Sequence, residues 1–507
     1  MSQQTNGVKP VLLALGLALA AGAAQAQADG GSETVQYDDG TIYTGTLSDG
    51  LRDGQGTLRT PNGYEYTGSF VAGEIRGEGT ARFPNGSVYE GGFAKGRPHG
   101  FGKVTYADGT YYEGDWVNGK INGSGEAVYA NGFKYEGGFR NGQHHGQGRL
   151  ESPTGSVYEG AWVMGVKEGT GKLTEADGSV YEGLFAGGEP NGEGNYRTAE
   201  GTTYSGGWLN GQMSGEGTLT EPNGDSYTGP FVAGMREGKG VVTYASGDRF
   251  EGNFANNKRS GQGVFTGADG YIYDGNWVDG QIGGEGTETY PDGSVYQGQF
   301  RAGLPDGQGT MTYPDGSTYV GGWRDGVFQG LGEAHYADGT SYNGDFVSGL
   351  YEGQGKLTRP DGYSYEGAWV AGLREGAGKA VFADGSGYEG TFKADRFDGK
   401  GKLTRADETY YDGDWLAGQK HGQGAETYAD GSSYKGGFVK DLREGQGTVS
   451  YADGNVVTAE WQQGVMTTML QGADAEETPA EDAAATDATE PEDAPTADAG
   501  EATTAGN

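Results

Sequence analysis

A tyrosine, followed two residues later by glycine and four residues later by a large aromatic ring, recurs every 23 residues. This rhythm constrains the fold more than any other feature of the chain. It starts at Tyr43, passes through Tyr66, Tyr89 and Tyr112, substitutes Phe250 once, and ends at Tyr434, which makes 18 repeats without an insertion or deletion. All eight tryptophans occupy the fifth position of the unit. A fixed period in this range marks an array of one small supersecondary unit, each copy touching only its neighbours.

Numbered from the tyrosine, glycine occupies positions 3, 8, 12, 14 and 21 of the unit. Positions 1–5 alternate ring, polar, Gly, small, ring, the period of a strand. Positions 12–18, as in Gly100-Phe-Gly-Lys-Val-Thr-Tyr106, read as a second strand. Between them and the next tyrosine stands Pro/Ala-Asp/Asn-Gly, as in Pro291-Asp292-Gly293, the signal of a three-residue hairpin loop with a left-handed glycine. Such a loop sets position 16 against the next tyrosine, position 14 against the next glycine 3, and position 12 against the next large ring. All rings and strand glycines then share one face.

The expected fold is all-β: an elongated, single-layer antiparallel meander of about 18 hairpins. Position 8 departs from glycine only at Asn257, Asp395 and Asp441, the residue types that best tolerate positive φ, so it requires a left-handed backbone. Position 21 departs once, at Glu408, where the sequence predicts a remodelled turn. Glycines 3, 12 and 14 never vary, and rings lying over their backbone would explain why a strand keeps them.

Composition narrows the functions available. A net charge of −36 without a basic cluster argues against nucleic acid and against anionic membrane. With no cysteine there is no disulfide, thiolate or cysteine metal site. Five histidines read as surface-loop residues, with His144-His145 at most a weak metal pair. Gly169-Thr-Gly171-Lys172-Leu173 lacks the spacing and following helix of a phosphate loop. Asp-Gly pairs read as turns rather than calcium ligands. No catalytic constellation, cofactor site or metal site emerges, and the chain reads as a non-enzyme.

Val11–Ala24 is an apolar run too short to span a bilayer, and Ala24-Gln25-Ala26 resembles a secretory cleavage site. The expected organisation is a signal peptide at 1–26, a linker at 27–34, the array at 35–462 and a tail at 463–507. Export to the periplasm or the exterior follows from that signal. Residues 473–507 carry 11 acids and no base, the composition of a disordered segment.

The unit Tyr-x-Gly-x-Trp/Phe-x-x-Gly-x-x-x-Gly-x-Gly resembles the MORN (membrane occupation and recognition nexus) repeat over residues 35–462. The resemblance implies hairpins stacked into a sheet with an aromatic-lined groove, used as a scaffold that binds proteins or self-associates. A lone sheet has no second layer, so its aromatic face must stay open, curl on itself or meet a partner. The rings that would line a binding face are Tyr112, Trp116, Tyr158, Trp162, Tyr204, Trp208, Tyr273, Trp277, Tyr319, Trp323, Tyr365, Trp369, Tyr411 and Trp415. The same rings could instead serve packing alone. A protein segment or a second copy is the expected partner, with cell-envelope carbohydrate stacking on Trp and Tyr as the alternative.

Overall fold

A seven-residue strand and a nine-residue strand form the hairpin of each repeat, as in Tyr111–Val117 and Lys120–Val128, except that after Ser226–Val232 the second strand is broken into Met235–Arg236 and Gly238–Thr243. This is seen in a computed structural model that describes residues 27–29 and 31–472. The expected signal peptide and most of the acidic tail lie outside the described residues. No helix occurs among the described residues. The chain divides into two compact units: residues up to Ala245 together with Phe254–Asn257, and Ser246–Asn253 together with everything from Lys258. The division falls where the alternation of Trp and Phe at position 5 slips. Within each unit the strands form an open antiparallel meander, each pairing with its neighbours in sequence.

Register between repeats follows the three-residue loop. Ala127 faces Tyr135, Gly125 faces Gly137 and Gly123 faces Phe139, and the same triad recurs at Leu357, Gly355 and Gly353 against Tyr365, Gly367 and Trp369. The loop is closed by Tyr129 N–H donating to Phe133 O at 2.9 Å and Gly132 N–H donating to Tyr129 O at 2.8 Å. The Asp or Asn inside it caps the following strand, as where Ser294 N–H donates to Asp292 Oδ1 at 2.8 Å.

Glu408 does not remodel its turn. It takes a left-handed φ of 69° and keeps both loop bonds, Glu408 N–H to Arg405 O at 2.9 Å and Arg405 N–H to Thr409 O at 2.7 Å. Paired strands on either side hold the loop geometry against the residue's own preference.

At the other end of each hairpin the turn has two residues, and both are left-handed, as with Asn118 at 52° and Gly119 at 79°. This is the type I′ hairpin turn, whose twist matches that of the strands. Position 8 is left-handed as expected, including Asn257, Asp395 and Asp441 at 68–69°. Position 7 is left-handed too, even where it is Ala72, Lys95 or Met164. The three non-glycine residues at position 8 have a second use. Their side-chain oxygens accept the backbone N–H of Arg236, Arg374 and Lys420, at 2.7–2.9 Å.

Position 12 is not an ordinary strand glycine. Trp116 pairs with Ile121 and Gly114 with Gly125, so Asp115 stands opposite a three-residue excursion, a β-bulge, within which Gly123 has a φ of 89°. Glycines 3 and 14 do behave as expected. A Cβ at Gly125 would lie 2.5–2.7 Å from the Tyr112 ring, and one at Gly68 would lie 2.5 Å from the Gly79 Cα. The tyrosine ring rests on the bare backbone of two strands, and alanine at either place would collide with it.

The sheet continues past both expected ends of the array. Strand Gln27–Asp29 lies in the expected linker, and Ser32–Gln36 runs from it into the array, paired with Ile42–Ser48. The expected tail begins with strand Val465–Gln471, paired with Val456–Gln462. Gln463 and Gly464 supply the left-handed pair at 49° and 82°, so the last hairpin closes although Thr468 and Leu470 replace its strand glycines.

Candidate functional site

Rings at positions 1 and 5 form one ladder on one face of each unit. Tyr112 meets Trp116 edge-on at 5.5 Å and Phe139 at 5.0 Å, Tyr135 meets Phe139 at 5.0 Å and Trp162 at 5.6 Å, and so onward. In the second unit Tyr319 meets Trp323 at 5.4 Å and Phe346 at 5.1 Å. Each edge-to-face pair is worth about 0.5–1.5 kcal/mol beyond the area it buries.

The bulge explains the tyrosine hydroxyl. It opens the ladder opposite position 4, and the tyrosine donates to that residue's carbonyl: Tyr112 to Asp115 at 3.0 Å, Tyr273 to Asn276 at 2.9 Å, Tyr411 to Asp414 at 2.8 Å. Every tryptophan except Trp461 donates from Nε1 to the position-14 glycine carbonyl of the preceding repeat, as Trp116 does to Gly102 at 3.0 Å and Trp415 to Gly401 at 2.9 Å. Burial pushes the tyrosine hydroxyls up, Tyr158 and Tyr204 to about 12, so they stay neutral donors.

Of the fourteen rings named from the sequence, thirteen are buried: Tyr112, Trp116, Tyr158, Trp162, Tyr204, Tyr273, Trp277, Tyr319, Trp323, Tyr365, Trp369, Tyr411 and Trp415. Trp208 is half-buried. They are brought together as packing, and their faces are already occupied. What covers them is the row at position 10, to which the repeat pattern gives no pointer.

His144, Phe328, Tyr351 and Phe397 lie flat on the tyrosines of their own repeats, with centroids 3.6–3.7 Å apart and planes within 8–12°. In other repeats the cover is a cation: Lys167 stands 4.8 Å over Tyr158, Arg259 lies 4.6 Å over Phe250 and 4.5 Å over Trp277, and Arg443 lies 4.8 Å over Tyr434. In the remaining repeats, where it is neither ring nor cation, position 10 is Ile75, Pro98, Ile121, Pro190, Met213, Ile282 or Pro305.

A neighbouring row at position 18 supplies hydroxyls to this cover. Tyr129 Oη lies 2.7 Å from His144 Nε2, Tyr336 Oη lies 2.7 Å from Tyr351 Oη, and Arg443 donates to Tyr428 Oη at 2.8 Å. His144 is therefore part of the inner face and not of a surface loop. Burial pushes its imidazole down to about 4. Among the described residues no three His, Asp or Glu side chains are grouped as a metal site would need.

Two carboxylates also lie on this face, both at position 16, where most repeats carry an aliphatic residue. Glu288 and Glu426 are each 6% exposed. Glu426 is ion-paired to Lys420 and, at 3.2 Å, to Arg405, and it accepts from Tyr428 at 2.9 Å. Glu288 accepts from Tyr271 at 2.6 Å and from Tyr290 at 2.7 Å.

An unvarying ring ladder beneath a varied cover defines a tandem β-hairpin repeat protein with an aromatic-rich sheet face in each unit. The chain belongs to the MORN repeat family, whose profile matches it 18 times between residues 43 and 456, first at 43–63 and last at 434–456. No curated protein matches the chain.

Similar solved structures include the TCP10 domain of Danio rerio CPAP, 13% identical over 47% of this chain and 95% of that one, with a TM-score of 0.18. The SAS-4 TCP domain of Drosophila melanogaster with a proline-rich motif of Ana2 is 17% identical over 42% and 99%, also at 0.18. Virginiamycin B lyase from Staphylococcus aureus is 12% identical over 68% and 96%, at 0.11. At such scores they establish no common arrangement.

Proposed function

We propose that this chain is a non-enzymatic, exported scaffold whose inner face holds a segment of another polypeptide. The observation that carries this reading is the contrast within that face. Positions 1, 3, 5 and 14 barely change, while position 10 runs through Arg, Ile, Pro, His, Lys, Met, Phe and Tyr. A varied row on a constant frame suits recognition of a chain whose own side chains vary, and Arg, Met, Tyr and Phe are the types enriched at interfaces.

Carbohydrate would need open ring faces to stack on, and position 10 takes those of the tyrosines, so the polypeptide reading is favoured. Export rests on Val11–Ala24 and Ala24-Gln25-Ala26. Sequencing the N-terminus of the protein recovered from its host tests it.

A photo-crosslinking residue placed at Phe328 on the inner row should capture a polypeptide in the producing cell, and one at the outer Leu331 should not. Leu331 is 72% exposed, so accessibility alone would favour the opposite result. Adducts from 331 but not 328 would refute the reading. Adducts from 328 that prove to be the same chain would assign the face to self-association.

A further inference from the structure

Resting on that reading, we infer that Tyr271, Glu288 and Tyr290 form the seat for one basic side chain, a lysine ammonium or arginine guanidinium, of the bound polypeptide. Two repeats of this chain differ in how they treat the same buried carboxylate. Glu288 and Glu426 occupy the same position of the unit, are equally buried, and each accepts from the tyrosine two residues on, Tyr290 or Tyr428.

At Glu426 the charge is neutralised from within, by Lys420 at position 10 and by Arg405 at position 18 of the preceding repeat. The corresponding residues at Glu288 are Ile282 and Gly267. Neither can supply a cation, and Tyr271 donates instead to the oxygen that Lys420 and Arg405 would engage. A carboxylate removed from water without a counter-charge is costly, and it is retained where a cation arrives from elsewhere.

The walls suit such a visitor. Tyr271 and Tyr290 are 6.4 Å apart between centroids, and Phe265 lies 6.0 Å from Tyr271. All three rings are half-buried, and those of Tyr271 and Tyr290 can offer their π faces to a cation. Arg259, one repeat earlier on the same row, is engaged with Phe250, Trp277 and Phe265 at 4.5–5.3 Å. Its guanidinium is seated one repeat away, as the next cation along the row.

The test uses the full chain and a phage-displayed library of random ten-residue peptides, selected on the wild-type protein and on two variants. Glu288→Gln keeps the shape and removes the charge, its Oε1 still accepting from one tyrosine while its Nε2 donates to the hydroxyl of the other. Ile282→Lys installs the internal cation found at Lys420. Wild type should enrich peptides with a shared Lys or Arg, and the best of them should bind each variant on the order of thirty-fold more weakly by fluorescence anisotropy. Each variant changes the net charge by one unit, so a loss of that size cannot come from the general acidity of the chain.

Enriched peptides with no shared basic residue, or with unchanged affinity for Glu288→Gln, would overturn the cation seat while leaving the inner face as a polypeptide site. Failure to enrich any peptide would overturn that wider reading and this one with it. Should Ile282→Lys fail to fold, judged by its circular dichroism, Glu288→Gln alone decides.

Discussion

Two rows of side chains share the inner face, and the difference between them separates what holds the chain together from what varies above it. Positions 1 and 5 are rings in every repeat from Tyr66 onward, their hydrogen bonds are spent on their own backbone, and solvent reaches almost none of them. The row at position 10 lies directly on top and changes chemistry from repeat to repeat. Within each unit the lower row is the core. The upper row is its surface, and it differs from repeat to repeat while the three-residue loop and the rings beneath stay the same.

The largest test of that distinction sets one residue from each row against its neighbour. Trp323 and Phe328 touch, with centroids 4.7 Å apart, and belong to one hairpin. Trp323→Ala should cost about 3–5 kcal/mol of local stability, the loss of a fully packed ring. Phe328→Ala, cutting a half-buried cover, should cost about 1–2 kcal/mol. Amide hydrogen exchange over residues 318–335 reads both. Because contacts run only between neighbours, exchange in the first unit should not change. Equal costs would mean that the cover is as structural as the spine.

A second test uses the one member of the upper row whose ordinary pKa lies near neutral. His144 is stacked 3.6 Å from Tyr135, and burial lowers its pKa from 6.5 to about 4. The unfolded chain takes up this proton first on acidification, so protons bound in the unfolded state exceed those in the native state between those values. The stabilising contribution is therefore complete above about pH 6.5 and is lost as pH falls towards 4, by up to ~3 kcal/mol. His144→Phe, which reproduces the stack of Phe328 on Tyr319, should flatten that slope without disturbing the ladder beneath. A local stability over residues 134–151 that is level from pH 7 to 4 in the wild type would show that the imidazole remains solvated.

What the sequence discloses follows the same division. The lower row is legible because a period repeated 18 times averages away local ambiguity, and because a three-residue loop leaves only one register that puts every ring on one side. The bulge is illegible by that route. Glycine 12 looks like any strand glycine until Trp116 is seen paired with Ile121 and Gly114 with Gly125. The type I′ turn left a readable trace, since Asn118-Gly119, Asn141-Gly142 and Asn210-Gly211 are strong signals for it, but Ala72 and Met164 at the same place obscure the pattern. Position 10 defeats pattern reading for a deeper reason. A row whose chemistry differs from repeat to repeat has no consensus, so its place on the rings shows only once Tyr135 and Tyr319 are seen with something lying on them. The fourteen rings were recognised by their regularity, and that regularity belongs to the core.

The smallest effect concerns a residue in neither row. Glu408 holds a φ of 69° in a loop where the other repeats have glycine, and the loop bonds are intact on both sides of it. Holding an L-residue left-handed costs about 1–2 kcal/mol, whereas glycine gives back roughly 0.5–1 kcal/mol of that through the greater freedom of the unfolded chain. Glu408→Gly should therefore stabilise its hairpin by at most about 1.5 kcal/mol. The converse change, Gly431→Glu in the next repeat, should destabilise by a similar amount without altering the register of Tyr434 against Glu426. Both substitutions leave the two inner rows untouched, so any change in the exchange of the Trp415 or Phe438 amides beyond that amount would mean that the loop, and not the ring ladder, sets how neighbouring hairpins meet. Because the Glu408 loop keeps its geometry against the residue's own preference, the strands are the stronger party, and a small, purely local gain is the outcome that this ordering of strengths requires.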